Sequence, residues 1–278
     1  MYIDAHTHLN SDQLYPQRTD HLADFVNQGG RRLIVVGTEP TRNQRAIEIV
    51  QQARNNYTAE QLRIDATVGI HPWIIGETYT NKHQIDKTME ELYTYYQQHK
   101  TYIVAIGETG TDQYRTQDSD IHQLQKYAFH AQSHIAQQLD IPVVVHSRAD
   151  REGTREVVKE FPQQTYYFHC RSYEAEHIDL VLQRDAPSYI GYCGNVTYPK
   201  ATPLQTSLQH LYRHPLGPQR LLIETDAPYL APQGVRWTTN TPAHIQHTYA
   251  YIAQLLNIPL TDLQDQIHEN TSKLFDER

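Results

Sequence analysis

The chain is short of sulfur, of positive charge and of long apolar runs. Only two cysteines occur in 278 residues, Cys170 and Cys193. Their spacing does not suggest a zinc cluster, and their scarcity fits a reducing compartment where disulfides do not hold the fold. No stretch approaches the roughly 18 apolar residues of a membrane span. The opening MYIDAHTHL lacks the basic region and apolar core of a signal peptide. A cytoplasmic protein without membrane association is therefore expected. Lysine plus arginine number 24 against 32 aspartates plus glutamates, a formal net charge of -8. That deficit excludes the broad basic footprint by which non-specific DNA binders release counterions. Bound divalent ions would still reverse the sign of an acidic cleft locally. Nucleophile motifs built on serine or cysteine are missing too, as are repeats, low-complexity tracts and linkers.

What is present is enough for a core. The 38% hydrophobic content and mean hydropathy of -0.68 describe a soluble chain long enough to bury most of its apolar surface, with one domain over 1–278 as the expectation. Short apolar runs read as strands at Tyr2 to Ala5, Leu33 to Val36, Ala66 to Gly69, Ile103 to Ile106, Val143 to Val145, Tyr166 to Phe168, Ser188 to Gly191 and Leu221 to Thr225. Between them, Asp20 to Gln28, Thr41 to Arg54, His83 to His99, Ser119 to Leu139, Arg151 to Phe161, Tyr173 to Arg184 and Pro203 to Tyr212 have helical character, with a helical tail from Pro242. The alternation predicts an α/β fold, a (β/α)8 TIM-type barrel. A doubly wound open sheet is the competing architecture, but it would separate the first and eighth strands, which carry related chemistry.

That chemistry is the order His6-x-His8, Glu108, His146, His169 and Asp226, each at or just past a strand. Period-two alternation turns His6 and His8 the same way, inward if Ile3 and Ala5 face outward. In a parallel barrel all strand ends meet at one mouth, so the later residues converge on the same place. Imidazole and carboxylate donors without sulfur suit zinc, manganese or magnesium. His6, His8 and Asp226 are expected to hold one ion, His146 and His169 a second, and Glu108 to bridge them. Two such ions share a hydroxide and grip both oxygens of a displacement at phosphorus. Asp226 is the candidate general base, and Asp226 with Glu108 forms the catalytic pair. A single histidine after a strand is usually structural; the conjunction argues otherwise. His71, Arg148, Arg171 and Arg236 are candidates for substrate phosphate, against a simple role in bracing loops. Glu224, two residues before Asp226, is assigned to hydrogen-bond a ligand. Trp73 and Trp237 either stack on a base or cover the barrel top. Cys170 is expected to face away from the site as a buried thiol, and His99, His122, His130 and His134 to be surface or packing residues of helices.

The motifs resemble those of the TatD-type metal-dependent deoxyribonucleases of the amidohydrolase superfamily. DAHTHL, GIHP at 69–72, AIGETGTDQY at 105–114, VVVHSR at 143–148, FHC at 168–170, GNVTYPK at 194–200 and ETDAPYLAP at 224–232 carry the resemblance across nearly the whole chain. Arg236, Asn240 and Pro242 keep the spacing of the family's closing Arg-x-x-x-Asn-x-Pro signature. The resemblance implies a distorted (β/α)8 barrel, two divalent metals and phosphodiester hydrolysis on DNA from a 3' end, with no obligate protein partner. Thr111, Gln113, Arg171 and Thr241 depart from the family pattern at the rim and bear on specificity. A barrel hydrolase of a small amide, ester or lactone is the alternative, and a metal-loaded non-catalytic protein a more distant one.

Overall fold

The computed structural model describes residues 1–170 and 175–277. Eight strands form one parallel sheet in chain order: β1 (Tyr2–Thr7), β2 (Gly30–Val36), β3 (Arg63–Val68), β4 (Ile103–Asp112), β5 (Val143–Arg148), β6 (Tyr166–Phe168), β7 (Ser188–Tyr192) and β8 (Leu221–Ile223). Around them lie α1 (Arg18–Asn27), α2 (Pro40–Asn56), α3 (Lys82–His99), α4 (Ser119–Leu139), α5 (Arg151–Glu160), α6 (Ala175–Leu182), α7 (Thr202–Arg213), α8 (Ile245–Leu256) and α9 (Leu260–Phe275). Every expected strand is present.

The sheet meets itself at a seam rather than remaining open. The His8 N–H donates to the Ala227 carbonyl at 2.8 Å, and the Asp226 N–H to the His6 carbonyl at 3.0 Å. The Asp4 carboxyl spans the same seam, accepting from the Thr225 N–H at 2.9 Å and paired with its hydroxyl at 2.6 Å. These bonds join the end of β1 to the segment after β8, where an open sheet would present edges.

Strand alternation divides the core in two. Leu33, Val35, Val143, Val145, Tyr166, Phe168, Leu221 and Ile223 pack outward with the helices, whereas Ile34, Val36, Val144, Tyr167 and Leu222 form a separate inner cluster. Ile3 lies with the outer set as expected, but Ala5 joins the inner one, because the β1–β2 register shifts between Asp4 and Thr7. Leu274 and Phe275 of α9 belong to the inner cluster. Beside them, Asp276 accepts from Arg32 at 2.7 Å and also from Arg63, so the far end of the barrel is filled.

Boundaries moved where local chemistry opposed the apolar pattern. β4 runs six residues beyond Ile106, its expected end, as far as Asp112, because the polar stretch Gly107 to Asp112 is buried against β5. Gly110 makes that approach possible: its φ is +139°, and a Cβ there would collide with the His146 carbonyl. The helical tail is two helices. Asn257 ends α8 with φ +54°, and Pro259 then starts α9, a common way to stop and restart a helix. The start of the expected Tyr173 to Arg184 helix lies outside the described residues. Among the described residues no helix is long and apolar enough to cross a membrane.

Candidate metal centre

The C-terminal strand ends bring the six expected residues into one buried cluster around Glu108. The His6 and His8 Nε2 atoms are 3.2 Å apart, as their shared parity on β1 requires. Glu108, within β4, divides its two oxygens between two groups. Its Oε2 lies 3.5 Å from His6 Nε2 and 3.4 Å from His8 Nε2, and Asp226 Oδ1 lies 3.8 and 3.4 Å from the same two nitrogens. Its Oε1 lies 2.6 Å from His169 Nε2, 3.0 Å from His146 Nδ1 and 3.3 Å from His71 Nε2.

Partners on the far side of each ring decide which nitrogen is available. His8 Nδ1 donates to the Val36 carbonyl at 3.1 Å, so that when the ring is neutral its Nε2 lone pair faces the cluster. His146 Nε2 donates to Asp112 Oδ2 at 2.9 Å, leaving Nδ1 toward Glu108. His71 is oriented the opposite way. Its Nδ1 accepts from the Trp73 N–H at 3.0 Å, so its Nε2 carries the proton and faces the cluster as a donor.

Burial and mutual charge set the protonation. Burial alone would raise the Glu108 carboxyl, but the imidazoles of His169 and His71 and hydrogen bonds from His146 and His169 hold it well below its ordinary range. Burial opposes a charge on His169, yet Glu108, Glu224 and Asp226 outweigh it and raise its pKa to about 9. Burial opposes a charge on His8 as well, but Asp226 and Glu108 overcome it and take the ring well above its usual value. Burial, reinforced by the positive His169, lowers His6 to about 3, and burial lowers His71 to about 4. Burial would raise Asp226, yet its bond from His8 and the charges of His169 and His8 leave it lowered.

The donor set fits divalent cations. Glu108 Oε2 is buried without a hydrogen-bond partner beside two imidazoles and a second carboxylate. His6, His8 and Glu108 offer atoms all within 4.8 Å of one another; His71 lies as close to Glu108 and His146, but its Nε2 carries a proton and offers no lone pair. Nitrogen and oxygen donors without sulfur point to zinc, manganese or magnesium.

A cavity of about 500 Å³ opens above the cluster, lined among others by His71, Trp73, Arg115, Arg148 and Asn195. Arg148 and Arg236 are exposed. Arg148 lies over the Tyr114 ring at 3.8 Å and Arg236 over Tyr198 at 4.0 Å. Arg171 lies outside the described residues. Trp73 is not a free platform: its indole N–H donates to Asp112 at 2.6 Å, while Trp237 is 91% exposed. Glu224 lies behind the cluster, but at 3.8 Å from His169 Nδ1 it makes no hydrogen bond to that ring; its oxygens accept instead from the Tyr167 hydroxyl and the Cys170 N–H. Cys170 departs from expectation. Its φ of +40° breaks the strand alternation, and the residue is half-buried at the cavity wall. The helical histidines lie away from the cluster; His130 of α4, for example, lies 3.1 Å from Glu160 of α5.

Sequence reasoning missed Asp112 and Arg115. Asp112 has the parity of Glu108 on the same strand, a signal that was legible once β4 was allowed to continue. Arg115, which lies 3.9 Å over Trp73, had no local signal. Asn240 braces the segment that carries Asp226, because its amide donates to the Thr225 and Tyr229 carbonyls at 2.9 and 2.7 Å.

A parallel barrel with a buried imidazole and carboxylate cluster at its C-terminal mouth has the architecture of a metal-dependent hydrolase. Residues 3–276 match the family described as TatD related DNase, and the chain belongs to that family. A Mycoplasma pneumoniae protein named as an uncharacterized metal-dependent hydrolase is 33% identical, with 99% of each chain covered. YcfH of Escherichia coli, named likewise, is 27% identical over 98% of this chain and 95% of its own. The fold matches crystal structures of YjjV, a TatD homologue from E. coli (TM-score 0.82, 24% identity, 100% of this chain and 98% of that one), and of a TatD family hydrolase from Entamoeba histolytica (TM-score 0.82, 20% identity, the same coverage).

Proposed function

We propose that this hydrolase cleaves phosphodiester bonds in DNA, removing nucleotides from a 3' end with the help of two divalent ions. The observation that carries the reading is the division of Glu108, one oxygen toward His6 and His8 and the other toward His146 and His169. His6, His8 and Asp226 with Oε2 would hold one ion, and His146 and His169 with Oε1 the other. When bound, the ions supply positive charge that polarises a phosphoryl oxygen and makes water a competent nucleophile at neutral pH.

The chain's own groups supply the rest. Asp226, held as a carboxylate beside His8, accepts the proton of the attacking water. The His71 Nε2–H, fixed by the Trp73 N–H on its other nitrogen, donates to a phosphate oxygen. Arg148 and Arg236 pair with phosphates at the rim, and the sequence makes Arg171 a third candidate for that role. A net charge of -8 gives no general attraction to DNA, so binding rests on these contacts and on the ions.

The test is digestion of end-labelled single-stranded oligonucleotides by metal-reconstituted protein, with 3' or 5' ends blocked. Loss of activity only with the 3' block is expected. Equal loss with either block removes the polarity, and inertness toward all oligonucleotides removes the nuclease. The acidic surface favours a second reading, a small amide, ester or lactone as substrate, and turnover of such compounds without oligonucleotide cleavage would establish it.

A further inference from the structure

The candidate centre leaves both cysteines unused, yet they lie together. Cys170 follows β6 by two residues and Cys193 follows β7 by one, and these strands are adjacent, Tyr166 to Phe168 pairing with Ser188 to Ile190. Neighbouring strands run about 4.8 Å apart, within the roughly 4.4–6.8 Å Cα separation that a disulfide spans. The left-handed backbone of Cys170, anchored by its N–H on Glu224, turns its side chain toward Cys193 instead of away from the barrel. The two Sγ atoms are 2.7 Å apart. That is closer than the roughly 3.5–4.0 Å at which even carbon atoms rest against each other, and both cysteines are free. Access is graded: Cys170 lines the central cavity, whereas Cys193 is fully buried behind it. Cys170, Cys193 and Glu224 also have the spacing of a cation site. However, the Glu224 oxygens already accept from Tyr167 and the Cys170 amide, which leaves two sulfurs as donors.

We propose that Cys170 and Cys193 are a modification site for small-molecule disulfides, which oxidise the pair to an internal disulfide at the cavity wall. The Cys170 sulfur attacks the oxidant's S–S bond, forming a mixed disulfide and releasing one small thiol. The Cys193 sulfur then attacks the Cys170 sulfur, closing the Cys170–Cys193 bond and releasing the second thiol. The two S–H protons leave with the departing thiols, so the protein loses two hydrogens and the oxidant is reduced by two electrons. The second step is intramolecular, the resolving sulfur already lying at contact distance. The site is independent of the substrate hydrolysed.

The experiment uses full-length, zinc-loaded protein incubated with oxidised glutathione, quenched in acid and alkylated, then peptide-mapped without reductant. The expected product is a Cys170 peptide linked to a Cys193 peptide, lighter by two hydrogens and released by dithiothreitol. Recovery of two alkylated cysteines, or of glutathione retained on either, overturns the proposal. In Cys193→Ser, glutathione on Cys170 should persist at least about tenfold longer than in the parent protein, since the resolving sulfur and its effective concentration are gone. Equal lifetimes overturn the assigned order of attack.

Discussion

Asp112→Asn tests how the second half of the centre is held. The carboxylate accepts four bonds: from His146 Nε2 at 2.9 Å and Trp73 Nε1 at 2.6 Å on Oδ2, and from the Tyr114 and Arg115 N–H groups at 2.8 and 3.2 Å on Oδ1. Burial would raise its pKa, but the His146 and Trp73 bonds outweigh that and keep it charged. Asparagine has the same shape but one acceptor oxygen, which serves about two of the four donors. If its amide nitrogen faces His146, that ring is driven to carry its proton on Nδ1, and the lone pair toward Glu108 is lost. If the amide is turned the other way, the Tyr114 and Arg115 N–H groups lose their acceptors and the rim loosens. Losing such an outer partner of a liganding imidazole weakens metal affinity by about 10- to 100-fold, or roughly 1.4–2.8 kcal/mol. Chelator competition should show one ion bound that much more weakly and the other little changed, with thermal melting of the loaded protein reporting the fold. Two unchanged affinities in a folded variant would refute the reasoning.

Asp226→Asn should lower oligonucleotide turnover by at least about 100-fold, through loss of a base, while the far-ultraviolet spectrum stays native; near-normal rates with metal bound would reject the role. Metal uptake should release protons. His169, with a pKa near 9, and His8, held well above its ordinary value, are protonated at pH 7 before an ion arrives, and a ligand must be neutral. Affinity should therefore fall as pH drops below about 9, as read by calorimetry in buffers of different ionisation enthalpy, and a pH-independent affinity would contradict the assignment. Arg148→Ala should raise KM for oligonucleotides by about tenfold, discounted from a fully buried pair because the rim is solvated, and should change hydrolysis of a neutral ester little. Equal effects on both substrates would make Arg148 a brace.

The barrel was legible because its signals were redundant. Eight apolar runs alternated with amphipathic segments, and six donors occupied strand ends that only a closed parallel sheet brings together. The parity argument for His6 and His8 needed nothing beyond strand geometry. The misses share a physical cause, in that polar or strained backbone replaced the apolar signal. β4 continues through Gly107 to Asp112 because tertiary burial, not hydrophobic pattern, keeps it extended, and Asp112 was hidden with it. Cys170 was expected on the wrong side because alternation assumes φ stays negative, whereas Glu224 anchors that residue in the left-handed region. Arg115 reaches the cavity from a loop and Asn195 from a single 3-10 turn, Gly194–Thr197, whose course no local periodicity encodes.

The seam gives the cluster a second consequence. His6 stands on the first strand and His8 just past its end, Asp226 on the segment after the eighth, and Glu108 reaches them from across the mouth. The Asp4–Thr225 bonds join residues 221 positions apart, so this joint forms only when the two ends of the barrel segment meet. An ion gripped by His6, His8 and Asp226 would act as a clasp on that joint. Its binding energy would then be shared between catalysis and closure of the barrel. The centre would accordingly be the last part of the molecule to assemble, and its metal a keeper of the fold's circumference.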